Sequence, residues 1–457
     1  MKTKNIWVEA KSGIKSVLNK IKARPLVRDT ITTTIFSTTG KGIGFLIPFF
    51  IAAWFGVTSG TDAFFFAYGL ILFISSIFAP VVQSIIVPYI AEARAKNEDV
   101  GSFVGKILGI SGIGLAGLSG IFLLLIRPFL SLITHFDPAS LNLIYILMLE
   151  TIPLIVLLVW TSILAGSLNA YKKFAVPALS PAFRAGINLA IIFSLRGTLG
   201  IHAIAWGYVI GEIFRAIILL SAIHKFKLFS PHFSINLDPK LKRFFKTASY
   251  QMLGMVAVGL NPVVDKTMAS WLGEGSVSVL HYADRLYIIP VTFISSGLMV
   301  TLLSHWSGRY YEFGQERLKR DLKKAIKIVG FLALIIAVGL ISLSQFIVKL
   351  AFGRGAFVSE RLIEVRWIWI CYLLGFVPYM FSQLFIRRHL ILKQTDILFL
   401  LSLLWNSLNI VLNLIFMHFM GIAGIALSTS TVYTIASIIL FSIFKSQLKN
   451  EHEQVLI

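Results

Sequence analysis

Long apolar runs dominate this chain and restrict it to very few folds. A helix needs about 20 apolar residues to cross ~30 Å of hydrocarbon. Twelve such stretches can be placed, at 30–56, 62–90, 103–126, 141–165, 174–195, 200–223, 247–272, 277–305, 324–350, 361–386, 396–417 and 421–444. In hydrocarbon every backbone N–H and C=O must find a partner within the protein, so only helices or closed barrels span. Runs of this length specify helices. Charged residues make up 14% of the 457 positions, against about 25% in a soluble domain. The expected fold class is an all-α integral membrane protein.

Charge distribution predicts the topology. Cytoplasmic loops collect Lys and Arg. With the N-terminus inside, 31 of the 42 cations fall in inside segments and 6 in outside loops. Both termini are therefore expected in the cytoplasm, and the net charge of +21 needs no nucleic-acid partner. Residues 1–29 are basic and lack the apolar core of a cleavable signal peptide. Within them Ile14, Val17, Leu18 and Ile21 keep helical spacing among lysines. That pattern reads as an amphipathic segment on anionic membrane lipids or as a disordered basic tail.

The basic stretch 224–246 divides the chain into lobes at 30–223 and 247–444, with a tail at 445–457. Each lobe holds six spans, so both share one orientation. At an offset of 221, Lys172, Asn188, Gly200 and Ala205 fall on Lys393, Asn409, Gly421 and Ala426. This suggests parallel repeats with a site between them near the midplane, although apolar helices also align by chance. Prolines at 48, 80, 88, 153, 177, 181, 262, 290 and 378 interrupt the spans and predict bends.

Five cations, Lys41, Arg184, Arg215, Lys266 and Arg285, lie inside apolar stretches with Glu150, Glu212 and Asp265. A charge at that depth is costly unless it meets a partner, a substrate or water. The cation excess points to a polar cavity that attracts anions. Glu212 and Arg215, three apart on one helix, are expected to pair. Arg285 either serves a substrate or pairs with Glu150 or Asp265. Asp265 either pairs with Lys266 or couples transport to Na⁺ or H⁺, with oxygens from Asn406, Asn409, Asn413 and Thr434. Thr61 or Asp62 is placed to cap the second span.

Several blocks carry a resemblance. They are Thr61-Asp62-Ala63-Phe64-Phe65, Gln83-Ser84 through Val87-Pro88, Leu168-Asn169 through Pro177, His281-Tyr282-Ala283-Asp284-Arg285-Leu286, and Phe352-Gly353-Arg354-Gly355-Ala356-Phe357. Together, in order and over nearly the whole chain, they resemble the MurJ (MviN) family. These are lipid-linked saccharide flippases of the multidrug/oligosaccharidyl-lipid/polysaccharide exporter superfamily. The resemblance implies two six-helix lobes in a V like that of the multidrug (MATE) exporters. A central cationic cavity and alternating access are implied with it. It also implies an undecaprenyl-diphosphate-linked saccharide as substrate, lipid II or a related envelope precursor, and envelope-polymer biosynthesis proteins as partners. Arg285 matches the family's cavity arginine, Lys41 stands at its first-helix arginine, and Asp62 matches its acidic motif residue. The candidate substrate site is thus Arg285, Asp284, Lys41, Asp62 and Arg184, and the candidate ion site is Asp265, Asn409 and Asn413. Two family arginines fall near Ile47 and Ser75, and typical lipid II flippases have fourteen helices.

No Walker-type Gly-rich loop, Cys/His metal cluster or hydrolase elbow appears, so neither an enzyme nor a cofactor is expected. His281, His305 and His389 read as structural. The lone Cys371 can form no intramolecular disulfide. A small-molecule exporter, a polyprenyl-phosphate glycosyltransferase and a non-transporting scaffold are the competing readings.

Overall fold

The computed structural model describes residues 40–455 except 41, 233–235, 237, 295–298 and 393. Lys41 and the basic segment 1–29, with its expected amphipathic character, lie outside the described residues. The first helix among the described residues is α1 (Gly42–Phe55). The chain continues through α2 (Ser59–Ala95), α3 (Val100–Ile133), α4 (Pro138–Thr151), α5 (Pro153–Ala170), α6 (Ala175–Leu199) and α7 (His202–Lys225). The second half comprises α8 (Pro239–Gly259), α9 (Asn261–Ala269), α10 (Ser276–Ile294), α11 (Val300–Ser342), α12 (Ser344–Phe352), α13 (Ser359–Leu374), α14 (Phe376–Ile391), α15 (Thr395–Met420) and α16 (Ile422–Val455). No strand occurs among the described residues, and nine helices there are long and apolar enough to cross a membrane. The other three expected spans, near α1, α8–α9 and α10, are helical too, but shorter or more polar.

Proline explains three of the interruptions. The helical path breaks at Ile152–Pro153, before Pro262, and at Gly375 before Pro378. There a missing N–H and the ring's bulk disrupt the ladder. Pro80, Pro88, Pro181 and Pro290 instead stay inside continuous helices. One expectation fails. The basic stretch 306–327 was expected to be a loop, but it is helical within α11 and folds only at Gly314, whose φ of 72° suits glycine.

The repeat shows in backbone geometry. Gly200 ends α6 at φ 54°, ψ −132°, and Gly421 ends α15 at φ 56°, ψ −135°. Both are conformations that glycine adopts without strain. Gly207 packs on the Asn188 carbonyl oxygen, 3.1 Å from where its Cβ would lie. The residue 221 further on, Ser428, donates to the Asn409 carbonyl at 3.2 Å. The pairs α6–α7 and α15–α16 are among the most extensive helix packings in their halves.

The halves meet mainly along α2, which packs against α8, α9 and α10. At the cation-rich end the contact is ionic. Lys106 meets Asp238 at 2.9 Å, Arg243 meets Glu92 at 2.7 Å, and Lys240 meets Glu98. Burial pushes the Asp238 carboxyl up, but the Leu241 N–H and the Lys106 ammonium outweigh it and hold it below the usual carboxylate range. These partly exposed pairs contribute at most about 1 kcal/mol each.

At the cation-poor end the contact is largely main chain. Ala356 N–H donates to Ala53 O at 2.8 Å, and Tyr282 Oη donates to Gly56 O at 3.0 Å. Gly355 has φ 68°, and a Cβ there would lie 2.0 Å from Ala53 O. No side chain fits without parting the two loops. Gly355→Ala is expected to destabilise the purified protein by about 1–3 kcal/mol, read as a lowered midpoint of thermal unfolding in detergent. An unchanged midpoint would remove the interlock from the fold's support.

Candidate functional site: a central cavity beneath a closed rim

Three sequence blocks converge at this rim, the first more than two hundred residues from the other two. Phe65 of α2 meets Tyr282 of α10 edge to face, with ring centroids 5.2 Å apart. Tyr282 in turn packs on Phe352 and Phe357 at 5.3 and 5.6 Å. Asp62 sits among them, 1% exposed. Its Oδ2 accepts from Gly275 N at 2.6 Å, and its Oδ1 accepts from Ser278 N at 2.7 Å and Ser278 Oγ at 2.5 Å. The carboxylate therefore caps the start of α10 across the lobe boundary, where free N–H groups and the helix dipole favour an anion. Its own helix is capped by Thr58 with Thr61. Asp62 was expected on the cavity wall, but it is a rim clasp, because its oxygens are taken up by α10.

Below the rim lies a cavity of about 390 Å³ between α2, α8–α10, α13, α15 and α16. Its charged lining residues are Asp265, Lys266, Asp284 and Arg285. Arg285 projects from α10, and its Nε is buried without a hydrogen-bond partner among the described residues. Its ion-pair neighbour is Asp284, at 3.8 Å. Neither Glu150 nor Asp265 neutralises it. Glu150 instead meets His202 at 3.0 Å, and Asp265 Oδ1 accepts from Asn413 Nδ2 at 2.7 Å. Asn413 Nδ2 also reaches Asn409 Oδ1 at 3.3 Å, so the three candidate ion-site residues are contiguous. Thr434 donates to Ser430 O within its own helix, whereas Thr429 and Tyr433 line the cavity beside Asp265.

The remaining candidates lie elsewhere. Arg184 is not among the cavity's lining residues. Its Nη1 meets Glu212 Oε2 at 3.1 Å, while Arg215 meets Oε1 at 2.9 Å. Thr161 donates to the same carboxylate at 2.5 Å. Glu212 is fully buried, and removing it would strand two guanidinium groups, which typically costs about 3–5 kcal/mol. Ile47 and Ser75, at the family's arginine positions, are buried. Ser75 spends its hydroxyl on Ile71 O at 2.8 Å.

Two residues that the sequence did not place in the site line the cavity. His281 stacks on Phe65 at 3.9 Å with its Nδ1 unpartnered among the described residues. Lys266 is among the cations in apolar stretches, but its only expected role was as a partner for Asp265. That pairing fails because adjacent helical residues point about 100° apart.

Kinked, apolar helices in two repeated halves around a charged central cavity define a multi-pass membrane transporter of the exporter superfamily. The family profile described as lipid II flippase MurJ matches residues 51–457. The chain belongs to the MurJ lipid II flippase family, whose members are transporters rather than enzymes. The probable lipid II flippase MurJ of Thermotoga maritima is 26% identical over 411 residues, covering 89% of this chain and 83% of that protein. The lipid II flippase MurJ of Burkholderia cenocepacia is 23% identical over 436 residues, covering 91% and 83%. Among solved structures, a lipid II flippase MurJ in an inward closed conformation superposes with a TM-score of 0.78 at 26% identity, covering 92% of this chain and 87% of that one. An inward-facing MATE-family multidrug transporter shares the fold at a TM-score of 0.77 and 14% identity, with 91% and 96% covered.

Asp62→Asn replaces one acceptor oxygen with an NH₂ group that faces α10 N–H donors. In a Cys371→Ser background, a cysteine at Ser276, which is 2% exposed, is expected to label several-fold faster with maleimide when Asp62 is Asn. Equal labelling rates would show that Asp62 does not hold the rim closed.

Proposed function

We propose that this protein flips a polyprenyl-diphosphate-linked saccharide, lipid II or a related envelope precursor, across the bacterial cytoplasmic membrane by alternating access of two lobes, 30–223 and 247–444. The observation that carries the reading is Arg285. Its guanidinium lines a cavity between the lobes with its Nε unpartnered among the described residues. A planar guanidinium in a low-dielectric cleft is suited to bidentate phosphate binding. Membrane potential contributes about 2.3 kcal/mol per charge per 100 mV, so it acts strongly on a charged headgroup.

With both termini in the cytoplasm, the cation-poor rim faces the outer leaflet and the described state is closed on that side. The substrate would then enter from the inner leaflet, with the basic N-terminal segment on anionic lipids. Asp265, Asn409 and Asn413 are proposed to bind the coupling ion, Na⁺ or H⁺, through oxygens gathered from α9 and α15. A second reading, export of a small cation, is favoured by Asp265 and Asp284 on the same cavity wall.

In vesicles, Arg285→Ala is expected to reduce leaflet translocation of undecaprenyl-diphosphate saccharide by tenfold or more, on the scale of about 1.4 kcal/mol per tenfold, without loss of membrane insertion. Full transport by this variant would exclude Arg285 from substrate handling. Preferential uptake of an organic cation by wild type would support the second reading. Asp265→Asn is expected to flatten the response of transport to Na⁺ or pH, and an unaltered response to both would exclude Asp265 from coupling.

A further inference from the structure

Lys266 makes an unusual contact for a buried lysine. From α9 in the second half, its Nζ reaches across the lobe boundary and donates to Phe65 O of α2 at 2.8 Å. That carbonyl is reachable because Gly69 stands one turn further along α2. A Cβ at Gly69 would lie 2.7 Å from Lys266 Nζ and 3.2 Å from its Cδ. The lysine stem therefore lies in a notch that only glycine leaves open. An ammonium has three donors, and this carbonyl takes one of them. Lys266 lines the same cavity as Arg285, and each half of the transporter contributes to the wall there.

The acids of this cavity are engaged differently. Asp265 spends an oxygen on Asn413 rather than on its neighbour Lys266, and Asp284 lies beside Arg285 at 3.8 Å. No carboxylate within salt-bridge distance of Lys266 occurs among the described residues. A buried ammonium held by one neutral carbonyl is a strong attractor for a second anionic group.

We propose that Lys266 is a second substrate-binding cation, taking one phosphate of the diphosphate while Arg285 takes the other; the Gly69 notch seats its stem in the closed state described and is not itself needed for binding. This rests on the reading of the cavity as the site of a diphosphate-headed lipid. It also supplies a cation to a cavity that Ile47 and Ser75, near the family's arginine positions, do not line. A monophosphate head engages the two cations less fully, so Lys266 selects for the diphosphate.

The test is binding of undecaprenyl diphosphate, undecaprenyl monophosphate and neutral undecaprenol to the full-length protein in detergent. Lys266→Met keeps the stem and removes the charge. Gly69→Ala fills the notch and dislodges the flexible lysine end without removing the charge. Lys266→Met is expected to lose tenfold or more in affinity for the diphosphate and distinctly less for the monophosphate. Gly69→Ala should stay within about threefold of wild type, and Lys266→Arg should recover most of the loss. Undiminished diphosphate binding by Lys266→Met overturns the proposal. So does an equal loss in Gly69→Ala, which would make Lys266 a strut between the lobes and nothing more. If wild type binds both phosphates no better than undecaprenol, the cavity reading itself falls, and this proposal with it.

Discussion

The cost of holding charge away from water organises this molecule. In the first half the cost is met locally. Glu212 gathers Arg184, Arg215 and Thr161 into one buried cluster, and the lobe is pinned around it. Across the lobe boundary it is met by the partner half, since Asp62 is solvated by the first turn of α10. In the cavity it is met only in part, because Arg285 and Lys266 retain hydrogen-bonding capacity. The gradient from satisfied to unsatisfied charge runs from scaffold to rim to cavity. It separates residues that hold the fold from residues available to a ligand.

Much of the fold was legible because bilayer thickness leaves so few solutions. Span positions followed from the apolar runs, and the repeat followed from Asn188 and Asn409 with Gly200 and Gly421. The last pair proved to share a backbone conformation as well as a residue type. Helix breaks at Pro153, Pro262 and Pro378 were legible for the same local reason. The stretch 306–327 was not, because its charges mark exposure to water, and an exposed segment can be helix as readily as loop.

The site was legible in part. Arg285 stood out because an arginine in an apolar run needs an explanation. Glu212 with Arg215 followed from helical spacing. The role of Asp62 depends on a contact with Ser278, 216 positions away, which no local pattern encodes. Adjacency also misled. Asp265 and Lys266 look like a pair in sequence, yet the helix turns one toward Asn413 and the other toward Phe65. Glycine was the most underread residue type. Gly69 and Gly355 each mark a place where the other half of the molecule comes close.

The rim has a thermodynamic consequence that its tight fit obscures. Its key bonds run from Ala356 N–H to Ala53 O, from Tyr282 to Gly56 O, and from the Gly275 and Ser278 N–H groups to Asp62. All are polar groups that water can satisfy as well as protein does. Exchanging a neutral bond of this kind for water costs about 0.5–1.5 kcal/mol net, and one to the Asp62 carboxylate about 1.5–3 kcal/mol. Closure is thus geometrically strict, while the polar part of its cost is largely returned by water on opening. A gate of this kind discriminates by shape while it is shut, and water takes over its bonds one by one as it parts.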